Sequence, residues 1–401
     1  MSQLLIDRNP DLARLRDEGY TVEAKGPFLV IHRIPYVDEQ GKVHLGSLVS
    51  TLQLSGETVL KPDDHVAHFI GGQPCHKNGR PIQQIMHAIG PNHLDQDLIV
   101  DRSFSNKPPE GYRDYHHKMS TYADIISGPA FSIDPSNTPK QFIAIKSGQE
   151  ESVFRYHDTA SSRAGIKALT RKLEYSRIAL LGLGGTGSYI LDFVAKTPAK
   201  QIDLYDADKF HSHNAFRAPG AASLQELEEQ QYKVDYFHGI YSKMRRGIIP
   251  HPVHITSDNE AELDGVDFAF VSIDAGETKR SILQALERRS IPYIDCGMGI
   301  QEVDGKLTGQ IRTTASIEGR RSHIWEQNAI SFSDDDGGGN EYARNIQISE
   351  LNALNAVLAI IKWKKLSGFY LDLEEELHCI YPIDGNVIIN AYRTNEEEDS
   401  E

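Results

Sequence analysis

The stretch IALLGLGGTGS at residues 178–188 decides the fold of this chain. An apolar run leads into Gly182, Gly184 and Gly187, and the residues that follow, YILDFVAK, have the spacing of a helix. Glycines at such a strand-to-helix turn let backbone N–H groups approach a phosphate, and the helix N-terminus favours negative charge. The pattern predicts a nucleotide-binding α/β fold, and by itself it fits NAD as well as ATP.

Acidic residues follow the glycine turn at the end of the next apolar run. This run, QIDLYDAD at 201–208, ends in Asp206 and Asp208. An acid about twenty residues beyond the glycines commonly accepts hydrogen bonds from a ribose, and Asp206 stands where the apolar alternation stops. Up to this point a dehydrogenase and an ATP-using enzyme are equally compatible with the sequence.

The polar residues farther along favour phosphate chemistry. Asn214, Arg217 and Lys233 come just downstream of the predicted ribose acid, and a dehydrogenase has no need of them. Formation of an acyl adenylate needs Arg and Lys near the triphosphate. It also needs a carboxylate for magnesium, and the apolar strand pattern VDFAFVSIDAG at 266–276 runs into one, Asp274.

In this order and spacing the motifs resemble the ThiF/MoeB and ubiquitin-activating (E1-like) adenylyltransferase family, over about residues 155–395. The resemblance implies a Rossmann-like adenylation domain that uses ATP and Mg²⁺ to adenylate the C-terminal carboxylate of a ubiquitin-like, β-grasp protein. It implies these nucleotide-binding residues: Gly182, Gly184, Gly185, Gly187, Asp206, Asp208 and Asn214. It implies these catalytic residues: Arg217, Lys233, Asp274 as the metal ligand, and Arg163, which would reach the ATP of the second subunit in a homodimer.

The sequence also departs from the family. No cysteine lies between Cys296 and Cys379, so we expect neither the structural zinc of many members nor a thioester-forming cysteine in this region. A covalent intermediate would then need a hydroxyl nucleophile with a nearby base. The candidates are Thr313, Thr314, Ser316, Ser331 and Ser333, with His323 as the base.

Composition and charge limit the classes of partner. The chain has 401 residues with 39% hydrophobic and 25% charged residues, which is typical of a globular protein of two or three domains. A net charge of −15 argues against nonspecific binding to nucleic acid or anionic membranes, although Arg312, Arg320 and Arg321 could form a local basic patch. Three widely spaced cysteines and the absence of a leader pattern predict a cytoplasmic protein. We expect Cys296 and Cys379 in the core and Cys75 in an exposed turn.

The pattern along the chain predicts three segments. Residues 1–150 are an α+β domain with a hairpin at 27–37 and 44–54, a strand at 65–72 and a short helix at 81–90. This domain could dock the ubiquitin-like protein or a ubiquitin-conjugating-like enzyme. Residues 151–395 are the adenylation domain with a mostly parallel sheet, and 396–401 are an acidic tail. Within 151–395 the expected strands are 177–182, 201–206, 252–256, 267–273 and 292–296, with helices at 187–197, 223–245, 276–289 and 345–366 and a polar loop at 333–342.

Other functions remain open at this point. Within the same family, the substrate could be a sulfur-carrier protein or another carboxylate. Two further classes are an NAD-dependent oxidoreductase, which the glycine turn and Asp206 permit, and a catalytically inactive scaffold. The first leaves Arg217, Lys233 and Asp274 without a role, and the second has no need of phosphate and metal residues.

Overall fold

The computed structural model of the chain describes residues 2–144, 152–163, 166–274, 276–332 and 346–392. The chain divides into two compact units, the first made of residues 1–147 and 157–165, and the second of residues 148–156 and 166–401. Among the helices of the described residues, none is both long enough and apolar enough to cross a membrane.

The first unit contains a six-stranded sheet in which every pair of neighbours is antiparallel, in the order β1-β2-β3-β6-β8-β7. Its core includes Leu29, Ile31, Phe69 and Phe104 from the sheet and Tyr122 from α3. The elements are α1 (Ser2–Arg8), α2 (Pro10–Asp17), β1 (Thr21–Lys25), β2 (Phe28–Val37), β3 (Val43–Thr51), β4 (Leu54–Ser55), β5 (Thr58–Val59), β6 (Val66–Ile70), β7 (Met86–Asp95), β8 (Leu98–Ser105), α3 (Tyr115–Ile133) and α4 (Thr159–Arg163), with a 3₁₀ turn at Gln83–Ile85.

The second unit contains an eight-stranded sheet in the order β11-β10-β9-β12-β13-β14-β15-β16. The elements are α5 (Lys167–Thr170), β9 (Arg177–Leu181), α6 (Gly185–Val194), β10 (Gln201–Tyr205), α7 (Ser212–Ala215), α8 (Leu224–Glu228), α9 (Lys233–Tyr241), β11 (Ile248–His251), β12 (Phe268–Val271), α10 (Glu277–Arg288), β13 (Tyr293–Val303), β14 (Lys306–Ser316), α11 (Ser322–Trp325), α12 (Ser349–Leu366), β15 (His378–Pro382) and β16 (Ile389–Ala391), with 3₁₀ turns at Arg171–Leu173 and Glu260–Leu263.

The topology of this sheet places a crevice beside the glycine turn. The strands from β11 to β13 are parallel, and those from β13 to β16 are antiparallel. The chain order reverses between β9 and β12, and ligands of such sheets bind at the carboxyl ends of the strands at this point. The predicted α/β fold with a mostly parallel sheet and a smaller α+β domain is confirmed.

The central strand β9 is apolar on both faces because helices cover both sides of the sheet. Ile178 and Leu180 pack in one core with residues of α6 and α12. Ala179 and Leu181 pack in a second core with residues of α10. The glycine turn is therefore the point at which a strand buried on both faces leaves the sheet.

Several local predictions agree with the structure. The hairpin is present as β2 and β3, the third strand as β6, and the long helix as α12. The loop at 333–342 and the tail at 396–401 lie outside the described residues. Cys296 and Cys379 are buried as expected.

Other local predictions are wrong, in three of the four cases below because pairing at a distance overrides the local pattern. The helix predicted at 81–90 is a 3₁₀ turn followed by β7, which pairs with β8. The strand predicted at 252–256 lies earlier, as β11, where it pairs with β10. The helix predicted at 223–245 is divided into α8 and α9 by Gln230, whose φ is +47°. Cys75 is buried rather than exposed. It pairs with Val37 at the end of β2, and its N–H donates to the Val37 carbonyl at 2.8 Å.

A buried guanidinium holds the C-terminal end of α6. Arg245 is fully buried, and its Nη1 donates to the carbonyl of Thr197 at 3.1 Å and, more weakly, to that of Ala195 at 3.4 Å. Its Nη2 donates to the Ala199 carbonyl. Burial lowers the pKa of Arg245 to about 10, so that it remains charged at neutral pH. A cation at this end of a helix also complements the helix dipole.

We predict that Arg245→Met lowers the free energy of unfolding by about 3 kcal/mol, because four carbonyl groups, that of Arg246 included, would lose their donor. The measurement is urea unfolding followed by circular dichroism. Arg288→Met is the matched control, since Arg288 is an exposed partner of Glu260 and we expect a loss below about 1 kcal/mol. Equal losses in the two variants would contradict the role given to Arg245.

A buried histidine ends a chain of polar contacts between β14 and β15. The Thr314 hydroxyl accepts from Arg312 Nη1 at 2.6 Å and lies 2.9 Å from His378 Nδ1. Because the oxygen accepts from Arg312, its single proton is available for His378 Nδ1, which then accepts as a neutral ring. Burial, with the nearby charges of Arg312, His323 and Lys362, lowers the pKa of His378 to about 4.

This pKa predicts a loss of stability in mild acid. The pKa of His378 falls from an ordinary value of 6.5 to about 4 in the folded chain, so the unfolded chain binds more protons between these pH values. The contribution of His378 to the free energy of unfolding is therefore full above about pH 6.5 and decreases as the pH falls towards 4. The measurement is the midpoint of urea unfolding at pH 7.5 and pH 5. We expect a smaller pH effect in His378→Gln, and an unchanged one in the control His76→Gln, whose histidine is exposed.

Candidate functional site

The glycine turn requires glycine at two positions. Gly182 has a φ of +92°, and its N–H donates to the Tyr205 carbonyl at 2.9 Å. A Cβ on Gly182 would lie 2.6 Å from the Ser272 carbonyl oxygen, and one on Gly187 would lie 2.0 Å from the Gly182 carbonyl oxygen. The turn thus brings the backbone of β9, the segment after β12 and the first turn of α6 into direct contact.

Asp206 is a buried carboxylate that fastens this turn. It is 4% exposed, and its two oxygens accept the N–H of Leu183 at 2.7 Å and the N–H of Asp208 at 2.9 Å. Lys233 Nζ lies 3.4 Å from the same carboxylate. Much of the hydrogen-bonding capacity of Asp206 is therefore used within the protein.

Asp208 has a different environment, although it is only two residues away. Its side chain is 60% exposed and accepts from Lys233 Nζ at 2.7 Å. Partial burial opposes ionisation, but this hydrogen bond and the charges of Lys233 and His254 lower the pKa of Asp208. The His254 ring lies 3.8 Å from the other oxygen of Asp208. Asp208 is thus an ionised carboxylate with an accessible surface at the crevice.

Asn214 supports the loop that carries Arg217. Its side-chain oxygen accepts the His211 N–H at 2.9 Å, and its backbone carbonyl accepts the Arg217 N–H at 3.0 Å. Arg217 Nε is buried and has no hydrogen-bond partner among the described residues. Partial burial lowers the pKa of Arg217, whereas the negative charge of Asp274 acts to raise it. The charge of Asp274, the acid predicted as the metal ligand, therefore acts on Arg217, and both residues line one cavity.

A cavity of about 410 Å³ brings most of the predicted residues together. Those that line it are Gly182, Gly184, Asp206, Asp208, Arg217, Lys233 and Asp274. Its remaining wall includes the apolar residues Ile255, Ile273 and Ile282. We call this the nucleotide cavity. Gly185, Gly187 and Asn214 are not among the residues that line it, and the side chain of Arg163 lies outside the described residues.

A second cavity, of about 270 Å³, adjoins the first. The two share Gly184, Ser272, Ile273, Asp274 and Gln347. The second is bounded by the start of α6, by β13 and β14, and by the start of α12. Among its lining residues are Gly185, Lys279, Gly297, Arg312, Asn352 and Asn355.

Sequence reasoning missed most of the second cavity. Lys279 could have been found, because it lies on the first turn of the helix that follows Asp274. Asn352 and Asn355 gave no local signal, since they are two polar residues of a long helix far along the chain. Both are 1% exposed, and Asn355 donates to the Gly297 carbonyl at 2.9 Å and accepts from Thr313 at 3.0 Å.

The hydroxyl nucleophiles proposed for a covalent intermediate are mostly inaccessible. Thr313, Thr314 and Ser316 are fully buried, and His323 contacts the Ala315 carbonyl at 2.9 Å rather than a hydroxyl. Ser331 lines the second cavity, and Ser333 lies outside the described residues. Among the candidates in the described part of the chain, Thr314 has a histidine beside its hydroxyl, His378 rather than His323, but this hydroxyl is fully buried.

The three arginines of the suggested basic patch serve separate contacts. Arg312 bonds Asp295 at 2.5 Å, Arg320 donates to the carbonyls of Glu375 and Tyr392, and Arg321 donates to the Glu287 carbonyl. Carbonyl or carboxylate contacts occupy part of each guanidinium, and the basic patch stays a prediction.

Comparison with known proteins gives a family for each part of the chain. Residues 158–328 match the ThiF family, and residues 10–159 match a domain of unknown function, DUF6791. No curated protein matches the chain.

Among solved structures, the chain is similar to E. coli MccB with succinimide (TM-score 0.44, 16% identity, 56% of this chain and 66% of MccB covered). It is similar to the microcin C7 biosynthetic enzyme MccB in complex with N-formylated MccA (TM-score 0.44, 16% identity, 59% and 70% covered). It is also similar to PaaA (TM-score 0.41, 14% identity, 56% and 75% covered). The chain spans 66% of the length of the first of these structures, slightly less than two thirds.

The geometry of Gly184 yields a prediction for nucleotide binding. A Cβ there would meet nothing within 4 Å, and the backbone φ of −70° suits alanine, so Gly184→Ala should fold normally. The new methyl group would project at the boundary of the two cavities, where a phosphate must approach the backbone. We expect ATP affinity to fall at least about tenfold, measured by isothermal titration calorimetry.

The control is Gly239→Ala in α9, where a Cβ would also meet nothing within 4 Å. We expect unchanged affinity in this variant. Wild-type ATP affinity in Gly184→Ala would mean that the phosphates bind elsewhere.

Proposed function

Because residues 158–328 form a ThiF-family domain, we propose that this chain uses ATP and Mg²⁺ to adenylate the C-terminal carboxylate of a ubiquitin-like protein. The observation that carries the proposal is the nucleotide cavity, which gathers the glycine turn, two cationic side chains and two exposed acids at the switch point of the sheet. A dehydrogenase would leave Arg217, Lys233 and Asp274 without a task in that cavity.

In the proposed reaction, a carboxylate oxygen of the substrate attacks the α-phosphorus of ATP. The bond from the α-phosphorus to the bridging oxygen of the β-phosphate breaks, and pyrophosphate leaves with the electron pair of that bond. The product is an acyl adenylate. A carboxylate is already ionised at neutral pH, so the step needs no general base.

The residues of the cavity divide the binding of ATP between them. The backbone N–H groups at the start of α6 and the side chains of Arg217 and Lys233 would neutralise the phosphates. Asp208 suits the ribose hydroxyls better than Asp206 does, because its carboxylate is exposed to the cavity whereas Asp206 accepts two backbone N–H groups. The isoleucine side chains that line the cavity offer apolar contact for the base.

The residues present fit a magnesium ion that arrives with ATP. The described residues contain no group of three or more His, Cys, Asp or Glu side chains able to hold a metal alone. Mg²⁺ bound to nucleotide needs only one or two carboxylates, because phosphates and water supply its other ligands. Asp274, an exposed acid lining the cavity, would hold it, and the ion would offset the charge of the departing phosphates.

The test is ATP–pyrophosphate exchange in the presence of small β-grasp proteins encoded beside the gene. We expect exchange that depends on one of them and falls about 100-fold or more in Asp274→Ala, because the leaving phosphates lose their charge compensation. Asp258→Ala is the control, since Asp258 is an exposed acid of the same unit that lines neither cavity. We expect its exchange rate to equal that of the wild type.

Two results would contradict the proposal. Tight binding of NAD in place of ATP would indicate an oxidoreductase. ATP binding with no exchange for any β-grasp protein, whether ubiquitin-like or sulfur-carrying, would indicate another carboxylate substrate.

A further inference from the structure

The second cavity contains a buried donor that lacks a partner. Asn352 is 1% exposed, and its Oδ1 accepts from the Thr186 hydroxyl at 2.9 Å. Its Nδ2 is buried and has no hydrogen-bond partner among the described residues. The amide lies against the first residue of α6, since a Cβ on Gly185 would be 2.1 Å from Nδ2. A buried donor left unsatisfied costs about 1–3 kcal/mol, which an acceptor on a ligand would recover.

The same cavity has a buried excess of positive charge on one wall. Lys279 Nζ and Arg312 Nη2 lie 3.0 Å and 2.5 Å from the two oxygens of Asp295. Lys279 is 3% exposed, Asp295 is fully buried and the Arg312 side chain is 15% exposed, so two cations share one carboxylate that is shielded from water. Because charges interact more strongly in a low dielectric, this group favours an anion in the cavity.

The negative charge of Asp274 lies at the other end, where the two cavities meet. Asp274 acts on Arg217, which lines only the nucleotide cavity. The positive wall and the unpartnered amide are therefore features of the second cavity alone, and they are separate from the groups assigned to the phosphates.

We propose that the second cavity binds the carboxylate end of the substrate, and that Asn352 is its positioning residue. Asn352 Nδ2 donates to a carboxylate oxygen, and the Lys279–Asp295–Arg312 group stabilises the negative charge as the chain end enters. The carboxylate then lies at the junction beside Gly184, where the α-phosphate of ATP would be within reach. This inference rests on the proposed adenylation, and it assigns the acyl half of that reaction to named residues.

Two stable nucleotide analogues test the proposal without knowledge of the protein substrate. The first, 5′-O-sulfamoyladenosine, fills only the nucleotide cavity. The second, 5′-O-[N-(N-acetylglycyl)sulfamoyl]adenosine, adds an acyl group that would enter the second cavity. We expect the wild-type chain to bind the acylated compound at least about tenfold more tightly in isothermal titration calorimetry.

Variants of Asn352 separate positioning from folding. Asn352→Ala should lose about fivefold or more of the affinity for the acylated compound and keep its affinity for sulfamoyladenosine. Asn352→Asp keeps the shape and the acceptor for Thr186 but replaces the donor by a negative charge, so its loss should be larger. Ile361→Ala, on the exposed side of α12, is the control and should bind both compounds as the wild type does.

The outcomes distinguish this inference from the function on which it rests. Equal affinity of the wild type for the two compounds would overturn the acyl site while leaving ATP-dependent adenylation intact. Failure to bind either compound would count against the adenylation itself. An equal loss for both compounds in Asn352→Asp would show that Asn352 only supports the fold, and this result would overturn its positioning role.

Discussion

The site depends on one buried carboxylate, that of Asp206. An ionised group with 4% exposure is stable only if it is paired and hydrogen-bonded, and Asp206 meets this condition by accepting two backbone N–H groups beside Lys233. One of these N–H groups belongs to Leu183 in the glycine turn, and the other to Asp208 beyond β10. The same contacts that make the buried charge tolerable therefore fix the turn, the exposed acid and the lysine relative to one another.

The two cavities follow from the topology of the sheet. The parallel strands around β9 open the crevice of the nucleotide cavity, as expected where the chain order reverses. From β13 onward the sheet is antiparallel, and β13 with β14 builds a wall of the second cavity that a purely parallel sheet would not provide. The packing of α12 against α6 adds the amides of Asn352 and Asn355 to that wall. The two cavities thus adjoin at Gly184.

The sequence predicted the residues whose chemistry depends on short spacings. Gly182 with Gly187, Asp206 with Asp208, and the position of Asp274 at the end of a strand all follow from local rules of backbone geometry. The second cavity could not be predicted in this way, because Lys279, Asp295, Arg312 and Asn352 meet only after four elements have packed. In the first unit, α3 was missed because its His- and Tyr-rich start and its internal Pro129 lack an obvious helical pattern. Asp114, whose carboxylate accepts the His117 N–H at 2.7 Å as the N-terminal cap, is the residue that could have indicated where this helix begins.

The polar chain behind the second cavity ends in a histidine that carries no charge near neutral pH. Arg312 donates to both Asp295 and Thr314, and the Thr314 hydroxyl also contacts His378. Because burial beside Arg312 lowers the pKa of His378 to about 4, the histidine stays neutral throughout the range in which an ordinary histidine would titrate. No proton is therefore added next to Arg312 near neutral pH, and its hydrogen bonds to Thr314 and Asp295 are kept.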